Sequence, residues 1–310
     1  MSTDNPKRIV VTGATGTIGR QLVGALLTRG DSVIALTRNP EAARAKLPGG
    51  VELHQWADPT HQAPPTVALI GSDAVINLLG EPISQRWSSA AKQQIRDSRV
   101  GSTRNLVQAL LAVPADSRPH TLVSQSATGF YGPREAPPVD ESAEPGNDWL
   151  AQVVVAWEGE ALAAADQLRV TVTRTGVVLA PDGGALEKML PFFKAGIGGP
   201  VAGGNQWLPW IHLDDVVGGL IACLDSEEAS GPVNLVGPTS ATNAGFSKAL
   251  GRALKRPAVL PVPAFALKTL YGQMAFIVTT GQPVTPAALT RLGYQFRYPE
   301  LDAALAAAVS

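Results

Sequence analysis

The chain has one cysteine, Cys223, among 310 residues, so no internal disulfide can staple it. Cys223 sits in the apolar-periodic segment 216–224 and reads as a small buried hydrophobe. Histidine is also sparse. His54, His61, His120 and His212 show no ligand spacing with one another or with the cysteine, and no metal site is expected. Lysine and arginine form no run and the formal net charge is -1, so the basic stripe that a nucleic-acid partner requires is missing. Apolar stretches are broken by Gly, Pro or charge well short of a membrane span, and residues 1–6 have no apolar signal core. The expectation is a cytoplasmic protein with no membrane segment and no nucleic-acid partner.

What is present is core-forming material: 45% of residues are hydrophobic and 16% charged, enough for one large domain or two unequal ones. Short β-branched runs at 8–12, 32–37, 51–55, 74–77, 121–124 and 170–174 read as strands. They alternate with helical patterns at 18–29, 88–113 and 149–165, the first closed by Gly30 and the second by Pro114. Such alternation predicts an α/β fold with a doubly wound parallel sheet, a Rossmann fold. After Ala180, closely spaced Gly and Pro give a loop-rich stretch, followed by helices at 214–225, 243–254 and 301–309 and a strand at 233–235. A nucleotide-binding domain over 1–180 is expected, with 208–236 returning to it. Residues 181–207 and 237–310 would form a smaller substrate region.

The first strand runs into Thr12-Gly13-Ala14-Thr15-Gly16-Thr17-Ile18-Gly19. Gly13 would permit the tight turn, Gly16 would let backbone N–H groups approach a pyrophosphate, and Gly19 would let the helix pack on the strand. The helix N-terminus then faces the anion. Strand two ends at Thr37 and Arg38, where an NAD site presents a carboxylate to the ribose 2′-hydroxyl. A guanidinium there pairs with the 2′-phosphate of NADP(H), which makes NADP(H) the expected cofactor; the alternative is a surface arginine at a loop start. Asp58 after strand three is a candidate for the adenine amino group. Asn77, Leu78, Leu79 and Gly80 after strand four are candidates for the ribose and pyrophosphate. Each alone reads equally as an ordinary turn.

With these pieces in place the chain resembles the extended, epimerase-like branch of the short-chain dehydrogenase/reductase superfamily. The resemblance rests on the glycine turn, Asn77-x-x-Gly80, Gly101-Ser102-Thr103, Ser124-x-Ser126-Ala127-x-x-x-Tyr131-Gly132, Arg174-Thr175-Gly176 and Ile211-His212-x-Asp214-Asp215. Gly80-Glu81-Pro82-Ile83, Arg86-Trp87, Trp157-Glu158 and the C-terminal 281–299 run are similar to the group called epimerase family proteins, with its own C-terminal domain and its SulA-like cell-division relatives. The resemblance adds Ser124, Arg174, Thr175 and Gly176 to the cofactor site and implies dimerisation through the helices after strands four and five. An apolar face there reads equally as core.

The superfamily's Ser/Thr proton-handling position is matched by Ser126. Its Tyr-x-x-x-Lys pair falls at Leu150 and Val154, both aliphatic, which puts the ordinary acid/base chemistry in doubt. Tyr131 is the substitute donor expected beside Ser126. Glu81, Arg86, Trp87, Lys188, Asn205, Trp207 and His212 are the candidates for a small-molecule substrate. Glu81 and Arg86 could instead pair with each other, and Asp214-Asp215 could simply cap a helix. The expected function is NADP(H)-dependent oxidoreduction or epimerisation; the alternative is an NADP(H)-binding regulatory or scaffold protein with weak or lost catalysis.

Overall fold

The computed structural model describes residues 6–310, so most of the stretch in which no signal core is expected lies outside the described residues. The first part alternates strand and helix: β1 (Arg8–Thr12), α1 (Thr17–Arg29), β2 (Ser32–Thr37), α2 (Pro40–Arg44), β3 (Glu52–Gln55), β4 (Ala74–Asn77), α3 (Ser89–Asp97), α4 (Val100–Ala112), β5 (Thr121–Ala127), α5 (Trp149–Leu162) and β6 (Arg169–Thr175). Next come β7 (Val177–Leu179), α6 (Gly184–Lys194), β8 (Trp207–Leu208), β9 (Trp210–His212), α7 (Leu213–Asp225) and β10 (Gly231–Leu235). The rest holds β11 (Ala241–Thr242), α8 (Asn243–Leu254), α9 (Ala264–Tyr271), α10 (Ala275–Thr279), α11 (Ala287–Arg291) and α12 (Leu301–Val309).

Seven strands form one parallel sheet in the order β10-β6-β5-β4-β1-β2-β3, a Rossmann-like α/β fold. Its central strands are apolar on both faces, with Ile9, Val10 and Val11 all fully buried, because helices cover both sides. Leu22 and Leu26 of α1 join Val216 and Leu220 of α7 on one face. Leu106 and Leu110 of α4 join Ala161 of α5 on the other. The winding reverses between β1 and β4, which opens a crevice at their C-terminal ends, the usual place for a ligand in such sheets. Phe193 of α6, Phe246 and Leu250 of α8 and Leu305 of α12 build a separate core around Trp210.

Two expectations are corrected. The helix expected over 88–113 is two helices, because the chain breaks at Ser98 and Arg99. There the Ser98 hydroxyl donates to the Ile95 carbonyl at 3.0 Å and Arg99 turns its side chain back onto that same carbonyl. The glycine-rich 181–207 stretch also contains α6, whose Leu186 and Phe193 are buried. Its glycines mark the ends of that helix: Gly183 caps it at φ 97°, a conformation that suits glycine.

Candidate active site

The crevice begins at the turn after β1. Gly13 has φ 65°, and a Cβ there would stand 2.6 Å from the Leu78 carbonyl, so only glycine lets the β1 and β4 loops meet. A Cβ on Gly19 would lie 2.3 Å from the Gly13 carbonyl, so glycine is needed for the helix to fit against the turn. Gly16 differs. It is exposed, and its nearest obstacle to a Cβ is the Gly13 carbonyl at 3.3 Å, so the space above it is open. Gly16 caps α1 with no side-chain bond to the first-turn N–H groups, and that turn has no acidic residue. A helix start left in this state suits a phosphate. Thr15 is half-buried and Ile18 packs on the core beneath. Thr17 donates to the Asp182 carbonyl at 3.2 Å, which lays the loop before α6 against the helix start.

At the end of β2, Arg38 is exposed and its guanidinium has no hydrogen bond or ion pair among the described residues; its carbonyl accepts from Gln55. Thr37 is half-buried. Asp58 is engaged locally, taking bonds from the Thr60 N–H and hydroxyl and lying 2.9 Å from His61 Nδ1. The hydrogen bonds of Thr60, then of His61, hold its carboxyl below the usual range.

Deeper along the edge, several side chains expected at the ligand are engaged with one another. Thr12 donates to Asn77 Oδ1 at 2.7 Å, and Asn77 donates to Thr103 at 3.0 Å and to Ser124 at 3.3 Å. Trp157 donates to the same Thr103 hydroxyl. Thr12, Asn77 and Ser124 are fully buried, so their side chains tie β1, β4, β5, α4 and α5 together and leave no polar atom facing the crevice. Leu78 and Leu79 are half-buried above them, and Gly80 is exposed.

Ser126 and Tyr131 also face inward, at 2% and 1% exposure. Ser126 donates to Glu158 Oε1. Arg174 grips both Glu158 oxygens at 2.8 Å and donates to the Tyr131 hydroxyl at 3.1 Å, which in turn donates to Asn234 Oδ1 at 2.7 Å. Burial raises the Tyr131 pKa, against the pull of Arg174. The reading of these two as free donors is therefore corrected: both hydroxyls are spent on a buried ion pair and its neighbours. The Arg174 guanidinium, expected at the cofactor, is engaged in that pair. Thr175 is buried and donates to the Thr173 carbonyl, and Gly176 lies so close to Pro209 that a Cβ would come within 2.6 Å of its carbonyl. Leu150 and Val154 lie on the face of α5 toward Gly129, where a Cβ would meet them at 3.2 and 3.9 Å, so the wall opposite β5 is aliphatic.

Of the substrate candidates, Glu81, Arg86 and Trp87 share the loop after β4, and Lys188 reaches it by donating to Ser84 at 2.7 Å. Arg86 is exposed beside Gly272, and no ion pair with Glu81 forms among the described residues. Trp87 is buried edge-on against Trp149. Asn205 is exposed outside β8, and Trp207 lies within β8, paired to Thr242. His212 is not brought to this group. It caps α7 by accepting the Asp214 N–H at 3.1 Å and stacks on Tyr298. Burial lowers its pKa, against Asp214 and Asp215. Asp215 does not cap the helix. It accepts from the Tyr294 hydroxyl and from the N–H groups of Arg297 and Tyr298, pinning the C-terminal tail.

Sequence reading missed Arg99. Its Nη1 donates to the carbonyls of Glu81 and Ile95, the guanidinium lies 5.2 Å from the Trp157 ring centre, and its Nη2 edge faces Gly80. Burial brings it down to about 10, with Glu81 opposing. Only the helix break at Ser98 places it there, and no motif announces that break.

A family model described as the NAD dependent epimerase/dehydratase family matches residues 9–237, and a domain of unknown function (DUF1731) matches 262–308. The chain belongs to the NAD-dependent epimerase/dehydratase family. Among its relatives in that family is the Arabidopsis thaliana protein named epimerase family protein SDR39U1 homolog, chloroplastic. The two are 40% identical, over 96% of this chain and 86% of the relative. Human epimerase family protein SDR39U1 is 36% identical, over 96% of this chain and 98% of the relative. A crystal structure of the human protein (isoform 2) with NADPH aligns at a TM-score of 0.87 and 34% identity, covering 97% and 99% of the two chains. The epimerase fold is shared more widely: a UDP-glucuronic acid 4-epimerase from Bacillus cereus aligns at a TM-score of 0.78 with 17% identity, over 97% of this chain and 98% of the other. No helix among the described residues is long and apolar enough to cross a membrane.

Proposed function

We propose that the protein binds NADP(H) across the crevice of its sheet and exchanges hydride with a small molecule, as an oxidoreductase or epimerase-like enzyme. The observation that carries this reading is an open, glycine-floored phosphate turn combined with an unspent arginine at the end of β2. The NADPH in the human relative's structure supports the choice of nucleotide. Arg38 would take the 2′-phosphate, the first-turn N–H groups of α1 the pyrophosphate, and the Nη2 edge of Arg99 an oxygen deeper in the crevice. When bound, the cofactor supplies or accepts the hydride. Leu150 and Val154 keep water from one side of the site but donate no proton. With Ser126 and Tyr131 also paired, no hydroxyl at these positions is free to donate the proton that accompanies hydride, which favours acceptors that delocalise the developing charge, quinones and enones, over simple ketones.

A second reading, an NADP(H)-binding regulatory protein, is favoured by the sequestration of Ser126 and Tyr131. NADPH oxidation against a panel of aldehydes, ketones, quinones and enones separates the two. The first reading expects turnover that is fastest with quinones or enones. Tight NADPH binding with no turnover across the panel would remove the oxidoreductase form of the first reading only, because an epimerase returns its hydride and consumes no NADPH overall. Absence of isomer exchange in added sugar nucleotides as well would transfer the assignment to the second.

A further inference from the structure

Next to the Leu150 position lies a cavity of about 690 Å³, bounded by Trp87 and Lys92, by the start of α5, and by residues 268–280. Its walls are aromatic: the Trp87 and Trp149 rings lie 4.8 Å apart at 61°, with Phe276 also in the lining. The Lys92 ammonium sits 4.8 Å from the Trp149 ring centre and 6.0 Å from that of Trp87.

The lining's polar groups are mostly committed elsewhere. One oxygen of Asp148 accepts the Leu150 and Ala151 N–H groups, and the other is buried against Gly132, out of a ligand's reach. The Thr279 and Thr280 hydroxyls donate to the carbonyls of Ala275 and Phe276. The Trp87 indole N–H donates to the Ile83 carbonyl. What is left is Gln273 and two cations, Lys92 and Lys268, which have no ion pair or hydrogen bond among the described residues. The side-chain acceptors left for a sugar hydroxyl are neutral, the Gln273 amide oxygen and the lone pairs of the two threonine hydroxyls, whereas the free charge in the lining is all positive. A flat apolar ring asks for aromatic walls, and an acidic group on it asks for an unpaired cation.

We infer that this cavity receives a flat, largely apolar molecule carrying a carboxylate, and that Lys92 over the paired tryptophans is what selects it. The inference rests on the hydride-transfer reading only in calling that molecule the substrate; the cavity's preference stands apart from turnover.

The test is calorimetric titration of the full chain, with and without NADPH, using 2-naphthoate, neutral 2-naphthylmethanol and UDP-glucose as probes. 2-Naphthoate is expected to bind at least about tenfold more tightly than the neutral alcohol, a difference of about 1.4 kcal/mol. Lys92→Met should erase that preference and Trp149→Ala should weaken both aromatic probes, with Lys268→Met, on an exposed helix face, giving a smaller loss of the same sign. UDP-glucose binding more tightly than 2-naphthoate, or naphthoate affinity unchanged in both Lys92→Met and Trp149→Ala, would overturn the inference. Naphthoate binding that keeps this pattern in a protein that does not bind NADPH would support the cavity's preference while removing the cofactor reading.

Discussion

At the end of β1 the first-turn N–H groups of α1 have no capping side chain, and the Arg38 side chain after the neighbouring β2 has no partner among the described residues, whereas beyond β5 and β6 the side chains of Ser126, Glu158, Arg174 and Tyr131 are linked in one hydrogen-bonded group. The two places lie on one sheet edge and carry motifs of comparable clarity in the sequence. They differ in what their polar atoms have left to give. An unsatisfied donor near the surface costs little while water serves it and remains available for a ligand. A buried charge must be neutralised within the fold. The first place is built to receive something, and the second holds the strands and α5 in register.

The sharpest way to break that contrast is to put a side chain into the open turn. Gly16→Val should reduce NADPH affinity about 100-fold or more at a stability cost of only about 1 kcal/mol, because the added Cβ meets only one carbonyl, at 3.3 Å, and valine is a poorer helix cap than glycine. Gly19→Ala should do the reverse and lower stability first, since its Cβ would lie 2.3 Å from backbone. Circular-dichroism melts alongside nucleotide titrations read both. At the closed end, Arg174→Met strands Glu158 and should cost about 3–5 kcal/mol of stability by denaturant unfolding. Ser126→Ala and Tyr131→Phe should each cost about 1 kcal/mol and leave any NADPH oxidation rate within a few-fold of wild type. A 100-fold drop in rate with unchanged stability would make them catalytic donors after all.

The smallest effect concerns His212. Its folded pKa is lowered by burial, so between the folded value and the unfolded value near 6.5 the unfolded chain binds more protons. Stability should thus fall as pH drops through that window. His212→Asn, which keeps a capping oxygen, should flatten the dependence in melts between pH 7 and pH 5.

The strand-helix alternation and the glycine turn were legible because period and turn chemistry are local: β1, β2 and β4 begin and end where the β-branched runs do. What could not be read was commitment. Nothing adjacent to Ser126 in the chain tells that its hydroxyl meets Glu158, 32 residues away, or that Asn77 would be enclosed by Thr103 and Ser124. Arg99 is the converse case. It lies inside the helical pattern of 88–113 with no motif of its own, and the break at Ser98 turns it toward Gly80. The 181–207 stretch misled because its many glycines drew attention from the Leu186 and Phe193 spacing that builds α6.

The central claim is that the open end of the edge is an NADP(H) site whose nucleotide preference comes from Arg38. Fluorescence titration of wild type and Arg38→Asp with NADPH and NADH tests it most directly. Wild type should prefer NADPH. The variant should lose about 2 kcal/mol or more toward NADPH, roughly 30-fold, through a lost ion pair and added repulsion, with little change toward NADH. An unaltered NADPH preference in Arg38→Asp would contradict the account.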